Sequence, residues 1–440
     1  MVNEHEYNDL KSKLKQFDGY HYIFSTWKLS ISQLNPTINQ YFILIKSLTK
    51  VIILNIFNSI SKSSPCISKE NKYFFYVRYS GVSSFGILNP IIKKLNDNSC
   101  IIAQKDVLKG MTKSSISINV ILNTAGIKVI LESIAESYKL AKLFEKKSKY
   151  KFNAELMYCY FQGILVNKSF QQKLKSHPRA ILIVETDATN ISRGLIEAFR
   201  SREFKSICLQ HGTFGDHQFP LWVDKYYVWG DFYNQQIKKF NIRSSEIISA
   251  GYPRLEEISF QLKNENIPSS VDPIILIISN THGRIFDSYL SAFFDVIKSL
   301  IENRFKIFVK LHPAESMDSY DQYLSNEEID SLNFFTKESL IDLIDQSRYT
   351  FLIDSAAVLE ILSINRPLLF LHSNLIEYPN MGIGVWVTAD NIIENIAYLQ
   401  KEENYRNLIE NQKEGFKKLI SNFGNSAKII CEDLQKIVSE

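Results

Sequence analysis

The sequence predicts an α/β protein made of two doubly wound, parallel-sheet domains. Three observations predict it. Unbroken apolar runs such as "RAILIVET" (179–186) and "PIILIIS" (273–279) read as strands buried on both faces. These runs alternate with helical stretches, which is the pattern of parallel sheets. The alternation also restarts after "QLKNENIPSSVD" (261–272), a polar stretch with Pro268 and two serines that reads as a linker. A chain of 440 residues is long for one core and suits two or three domains. The expected divisions are a helical segment over 1–70, a first Rossmann-like domain over 71–260, a second over 261–390, and C-terminal helices over 391–440 that pack back across the domains.

Taken in order, "KYFFYVRY" is a strand, "SGVSSFG" a loop, "ILNPIIKKLND" a helix with a proline near its start, and "SCIIAQKD" a strand. Residues 111–150 read mostly as helix. "RAILIVET" leads to the helix "NISRGLIEAFRSR", with Asn190 the expected N-cap. "FKSICLQ", a loop "HGTFGDHQF" and the strand "KYYVWG" follow, then the helix "DFYNQQIKKF" and "SEIISAGYPRL". The second half repeats the scheme with "PIILIIS", "FKIFVKLHP", "NFFT", "YTFLIDS" and "PLLFLHS" as strands. From about 391 the chain reads as two or three amphipathic helices.

Composition narrows the function classes. A formal net charge of +4 without a basic stripe or arm does not suggest a nucleic-acid binder. Five cysteines, Cys66, Cys100, Cys159, Cys208 and Cys431, lie far apart with no CxxC, so neither a disulfide framework nor a zinc site is expected. The N-terminus is polar and charged, unlike a secretory signal. "YFILIKSLTKVIILNIFNSI" (41–60) is apolar, but Lys46 and Lys50 inside it argue against a membrane span. It reads as a buried amphipathic helix, or as one lying on a membrane surface.

Two doubly wound domains predict a ligand cleft between them, with ligands at the carboxyl ends of strands. In the second half those ends supply Ser279 with Asn280, Thr281, His282 and Gly283, then Lys310, His312 and Pro313, then Asp354, Ser355, Ala356 and Ala357. Backbone N–H groups at a helix start favour a phosphate, Glu360 is an acceptor for ribose hydroxyls, and His312 is a phosphate ligand or proton donor. In the first half they supply Tyr79, Ser80 and Gly81, then Glu185, Thr186 and Asp187, then Gln210, His211 and Gly212, with Asp216 and His217 in the following loop. Asp187 and His211 are rival candidates for a general base, while Glu185, Gln210, Gly212, Asp216 and His217 are placed at an acceptor. Plainer readings stand beside each: Ser355 or Asp187 as helix caps, His312 as a structural histidine, Glu360 as a surface residue, and 280–283 as a turn.

The ordered motifs "ICLQHGTFGD", "YYVWGDFY", "SAGYPRLEE", "VKLHPAE" and "LIDSAAVLEILSINRPLLFL" resemble bacterial surface-polysaccharide glycosyltransferases of the GT-B fold. The sequence is similar to capsule and lipopolysaccharide transferases that use CMP-activated sugars, the sialyltransferase and Kdo-transferase groups. More distantly it is similar to CDP-glycerol glycerophosphotransferases. The resemblance covers roughly 180–375. It implies an inverting, metal-independent enzyme moving a sialic acid-, Kdo- or related nonulosonic acid-type sugar to a glycan or lipid-linked acceptor, peripheral to the cytoplasmic membrane. It places His312 and Ser355 on the CMP phosphate, though Ala356 stands where the family has a second hydroxyl. The family's acidic motif is absent, with Glu185-Thr186-Asp187 a loose analogue. No DxD pair stands at a strand end, so neither cofactor nor metal is expected. Rival readings are a polyol-phosphate transferase, a UDP-sugar glycosyltransferase or epimerase, and a non-catalytic scaffold anchored by 41–60.

Overall fold

The computed structural model describes residues 67–78, 85–95, 98–104, 107–108, 115–118, 125–148, 154–212, 221–238, 245–259, 272–279, 287–312, 315–353, 355, 357–371 and 381–440. Residues 1–66, including 41–60, lie outside these. So does nearly all of the expected linker. The chain forms two compact units: residues 1–229, 233–254 and 425–440, and residues 230–232 and 255–424.

The first unit is built on a seven-stranded parallel sheet of order β3-β2-β1-β4-β5-β6-β7. Its strands are β1 (Tyr73–Val77), β2 (Ser99–Ala103), β3 (Ser115–Ser117), β4 (Ile181–Val184), β5 (Lys205–Leu209), β6 (Lys225–Val228) and β7 (Glu246–Ser249). The helices along it are α1 (Phe85–Leu95), α2 (Ile127–Ser148), α3 (Ala154–Leu174), α4 (Asn190–Arg200) and α5 (Asp231–Lys238), and α6 (Arg254–Ser259) begins at the last residue of this stretch and belongs to the second unit from Leu255 on. Every residue of β1, β2 and β4 is buried, as strands covered on both faces require. Burying side chains such as Phe74 and Phe75 contributes about 1.5–3 kcal/mol each.

The second unit carries a six-stranded parallel sheet of order β10-β9-β8-β11-β12-β13. Its elements are β8 (Ile274–Ile278), α7 (Asp287–Glu302), β9 (Lys306–Lys310), α8 (Asn326–Asp330), β10 (Leu332–Phe335), α9 (Leu340–Gln346), β11 (Tyr349–Leu352), α10 (Val358–Ser363), β12 (Leu368–Leu371), β13 (Val385–Val387), α11 (Ile392–Gln400) and α12 (Glu402–Leu419). On one face, Phe293 of α7 stacks on Phe351 of β11 with ring centroids 5.5 Å apart. The last helix, α13 (Ser426–Ser439), belongs to the first unit. There Asp433 pairs with Lys225 at 2.8 Å and accepts from the Tyr227 hydroxyl, and Arg179 donates to the Ile437 carbonyl at 3.0 Å.

Both sheets therefore have the doubly wound order, with a switch point where the chain leaves one side of the first strand and returns on the other. That point lies between β1 and β4 in the first unit and between β8 and β11 in the second. Several local expectations change. The strands β3 and β13 were not expected: each has three residues and no long apolar run. Pro90 lies inside α1 rather than near its start, because the helix begins at Phe85. The cap of α4 is Thr189, not Asn190. The Thr189 hydroxyl accepts from the Ser192 N–H and the Ser192 hydroxyl accepts from the Thr189 N–H, both at 3.0 Å, a reciprocal pair that Asn190 is one residue too late to make.

Candidate functional site

In the first unit, Tyr76 pairs with Val184, and Val184 with Cys208. The residues just beyond these positions leave the sheet in one row: Arg78 after β1, Glu185–Asp187 after β4, Gln210–Gly212 after β5. Glu185, Asp187 and Gln210 are each 2% exposed, unusual for such polar groups and tolerable only with partners.

Asp187 has them. Its Oδ2 accepts the backbone N–H of Trp222, and its carbonyl accepts Nε of Arg193 at 2.8 Å. Arg193 is itself fully buried, with its guanidinium 5.4 Å from the centroid of the Trp222 ring. Burial pushes the Asp187 carboxyl above the usual carboxylate range, while the Arg193 charge and the Trp222 N–H pull it down. Asp187 thus ties the β4 end to the segment before β6. It does not cap α4.

Gln210 is also engaged within the chain. Its Oε1 accepts the Trp229 N–H at 2.9 Å, its Nε2 donates to the Gly212 carbonyl at 3.0 Å, and its own carbonyl accepts Nε1 of Trp229 at 2.8 Å. The amide expected at the acceptor instead fixes the turn that carries His211. His211 differs from both neighbours. It is half-buried, and its Nδ1 is buried with no hydrogen-bond partner. Its pKa is pushed down to about 4 by burial first and the Arg78 charge second, with a hydrogen bond to the Glu185 backbone opposing them. The imidazole is therefore neutral near pH 7. Its position and protonation state suit a proton acceptor, whereas the Asp187 carboxylate is already bonded.

In the second unit, Ser279 ends β8, donating its N–H to the Lys310 carbonyl at 3.0 Å and accepting the Tyr320 hydroxyl at 2.8 Å. Lys310 ends β9 and donates Nζ to the Thr336 carbonyl at 2.7 Å. Burial lowers its pKa, opposed by the charge of Glu338. His312 is exposed. Its turn is closed from both sides: the His312 N–H donates to Oε2 of Glu315 at 3.1 Å, and the Glu315 N–H to the His312 carbonyl at 2.9 Å. At the β11 end, Ser355 is not the helix cap. Ala357 is, without a side-chain bond, while the Ser355 hydroxyl accepts the Ala357 N–H at 3.2 Å. Glu360 in α10 is 2% exposed, not a surface residue.

Asn280, Thr281, His282, Gly283, Ala356, Asp216 and His217 lie outside the described residues. Of the others, Glu185, Asp187, Gln210, His211 and Gly212 follow the ends of neighbouring strands of one sheet, and Lys310, His312 and Ser355 lie at or just beyond the strand ends of the other, with Glu360 inside the helix α10 that follows β11. Reading the sequence missed Arg78, Arg193, Trp222 and Glu315. Arg78 was legible as the one charge closing the apolar run "KYFFYVR", and Glu315 as the carboxylate three residues after His312. Among the described residues no cluster of three or more His, Cys, Asp or Glu side chains forms a metal centre. The four cysteines described are free and buried. No helix among the described residues is long and apolar enough to cross a membrane.

No family model and no curated protein matches the sequence. Solved structures do match the fold. An S. aureus MnaA–UDP structure aligns with TM-score 0.54 at 12% identity, covering 84% of this chain and 98% of that one. UDP-GlcNAc 2-epimerase from Neisseria meningitidis, bound to UDP-GlcNAc, aligns at 0.50 and 16%, covering 83% and 100%. A putative UDP-N-acetylglucosamine 2-epimerase from Listeria monocytogenes aligns at 0.52 and 12%, covering 83% and 96%. The chain thus has the GT-B fold of two Rossmann-like domains, and at these identities the likeness is one of fold.

Proposed function

We propose that this chain is an enzyme acting on a nucleotide-activated sugar. The observation that carries the reading is His211 Nδ1: a buried imidazole nitrogen without a partner, just beyond the carboxyl end of β5 in a doubly wound sheet, held neutral. Such a nitrogen is suited to accept a substrate hydroxyl proton. The second unit's strand ends take the nucleotide. Lys310, His312 and Ser355 stabilise the departing phosphate, and Glu360 accepts from ribose hydroxyls. Gln210 and Asp187 hold the frame around His211.

A uridine donor is the better-supported choice. The fold neighbours above are named for UDP and UDP-GlcNAc, whereas a CMP donor rests on the motif resemblance alone. Transfer to a glycan or lipid-linked acceptor, with inversion and without a metal, is one reading. Epimerisation of a UDP-sugar, which needs no acceptor, is the other, and it is favoured by the names of the same neighbours.

The test is thermal stabilisation of the full chain by UDP, UDP-GlcNAc, CMP and CDP, repeated with His312→Ala. A UDP-sugar shift lost in the variant is expected. A shift with CMP alone returns the donor to the nonulosonic acid class, and one with CDP alone to the polyol-phosphate class. No shift with any nucleotide overturns the enzyme reading in favour of a scaffold. Incubation of UDP-GlcNAc with the chain alone, followed by sugar analysis, separates epimerase from transferase.

A further inference from the structure

Helix α2 has two faces of different character. One packs on α3 through Val129, Ile130, Phe161 and Leu165. The other is open to solvent and carries Ile127 (53% exposed), Leu131 (59%) and Tyr138 (49%), with exposed Ala135 between them. The spacing of four, four and three residues places all four in one stripe on a 3.6-residue helix. Contiguous exposed apolar surface of this kind marks an interaction site.

The charges beside the stripe identify the partner. Lys128, Lys139, Lys142 and Lys146 are all exposed, and helical spacing sets them in or directly along one side of it. Of the three acidic residues of α2, Glu145 falls in line with the stripe and the other two are directed elsewhere. Glu132 and Glu136 lie further round the helix and bond to Lys168 of α3 at 3.4 and 3.1 Å. Glu145 engages Lys142 at 2.7 Å, leaving three lysines of the row with no acidic neighbour in an ion pair among the described residues. An apolar stripe with a lysine border matches a surface that is apolar below and anionic above. The chain's own apolar segment 41–60 is a poor occupant, because its charges are Lys46 and Lys50 and it has no acidic residue.

We propose that the exposed face of α2 docks the protein on an anionic lipid surface, lying in the interface plane with Ile127, Leu131 and Tyr138 at the acyl boundary. This goes beyond the proposed activity and does not depend on it. The experiment is co-sedimentation of the full chain with vesicles of phosphatidylcholine containing roughly one-third phosphatidylglycerol, against phosphatidylcholine alone, at about 0.1 M salt. Binding to the anionic vesicles only, weakening with salt, is expected. Leu131→Glu/Tyr138→Glu is expected to reduce partitioning at least tenfold. Lys128→Glu/Lys139→Glu leaves the apolar stripe intact and is expected to reduce it by about fivefold or more per charge. The second pair keeps the test decisive if the first fails to fold. Binding that survives both pairs would overturn the proposal and assign the membrane contact to another segment. A dimer disrupted by Leu131→Glu/Tyr138→Glu, with no vesicle binding, would overturn it in favour of a second copy of this chain.

Discussion

Arg193 donates its Nε to the backbone carbonyl of Asp187, six residues earlier, and both side chains are buried. The bond spans the loop from β4 into α4, and the same guanidinium lies over Trp222, whose N–H is taken by the Asp187 carboxylate. Three residues thus close one ring of contacts. Asp187→Ala is expected to strand a buried N–H and an unbalanced guanidinium, costing about 3–5 kcal/mol in chemical unfolding. His211→Ala, by contrast, is expected to leave unfolding within about 1 kcal/mol while lowering turnover by about 10²–10⁴. Equal losses of stability in the two variants would refute the division of roles.

The helix that presents Arg193 is set by glycine contact. A Cβ on Gly194 would stand 2.4 Å from the carbonyl oxygen of Gly163 in α3, and backbone cannot yield as a side-chain tip can. Gly194→Ala is expected to destabilise by about 1–3 kcal/mol, read from the urea midpoint at unchanged m-value.

His211 gives the protein an acid-sensitive limb. Folded, it stays neutral down to about pH 4; unfolded, an ordinary histidine protonates near about 6.5. Between those values the unfolded chain binds a proton that the folded chain refuses, so stability falls as pH falls from 6.5 to 4. At about 1.4 kcal/mol per pKa unit the limb is at most about 3.5 kcal/mol. His211→Gln is expected to flatten it, and the acid limb of kcat/KM is expected near pH 4 rather than 6.5. A wild-type limb retained in the variant would assign the titration elsewhere.

Glu315 closes the turn that follows His312, but the bond is exposed. Glu315→Ala is expected to weaken nucleotide binding by about fivefold, from loss of about 1 kcal/mol of turn stabilisation, with a correspondingly small fall in melting temperature of the unliganded chain. A fall in melting temperature without weaker binding would make the turn structural.

The central strands and their alternation with helices were legible because a strand covered on both faces must be apolar throughout. The edge strands β3 (Ser-Ile-Ser) and β13 (Val-Trp-Val) were not, because three residues give no period to read. Strand-end residues such as Glu185 and His211 could be found by counting from the apolar runs. Their roles could not. Nothing local distinguishes Gln210, whose amide is taken up by Trp229 and Gly212, from a residue open to a ligand, because that difference is made by Trp229, on another strand end. Trp222 and Arg193 likewise acquire meaning only when β4, α4 and the approach to β6 converge.

The return of α13 to the first unit has a consequence for biosynthesis. Strand β1 pairs with β4, joining Tyr73 to Ile181, so the centre of that sheet waits for a long stretch of chain. The partners of Lys225, Tyr227 and Arg179 come later still, from residues 433–437. The unit begun first on the ribosome is therefore completed last, after the whole of the second unit has emerged. A chain cut short just before 425 would carry every residue of the second unit and leave the first unit, with its His211, unfinished.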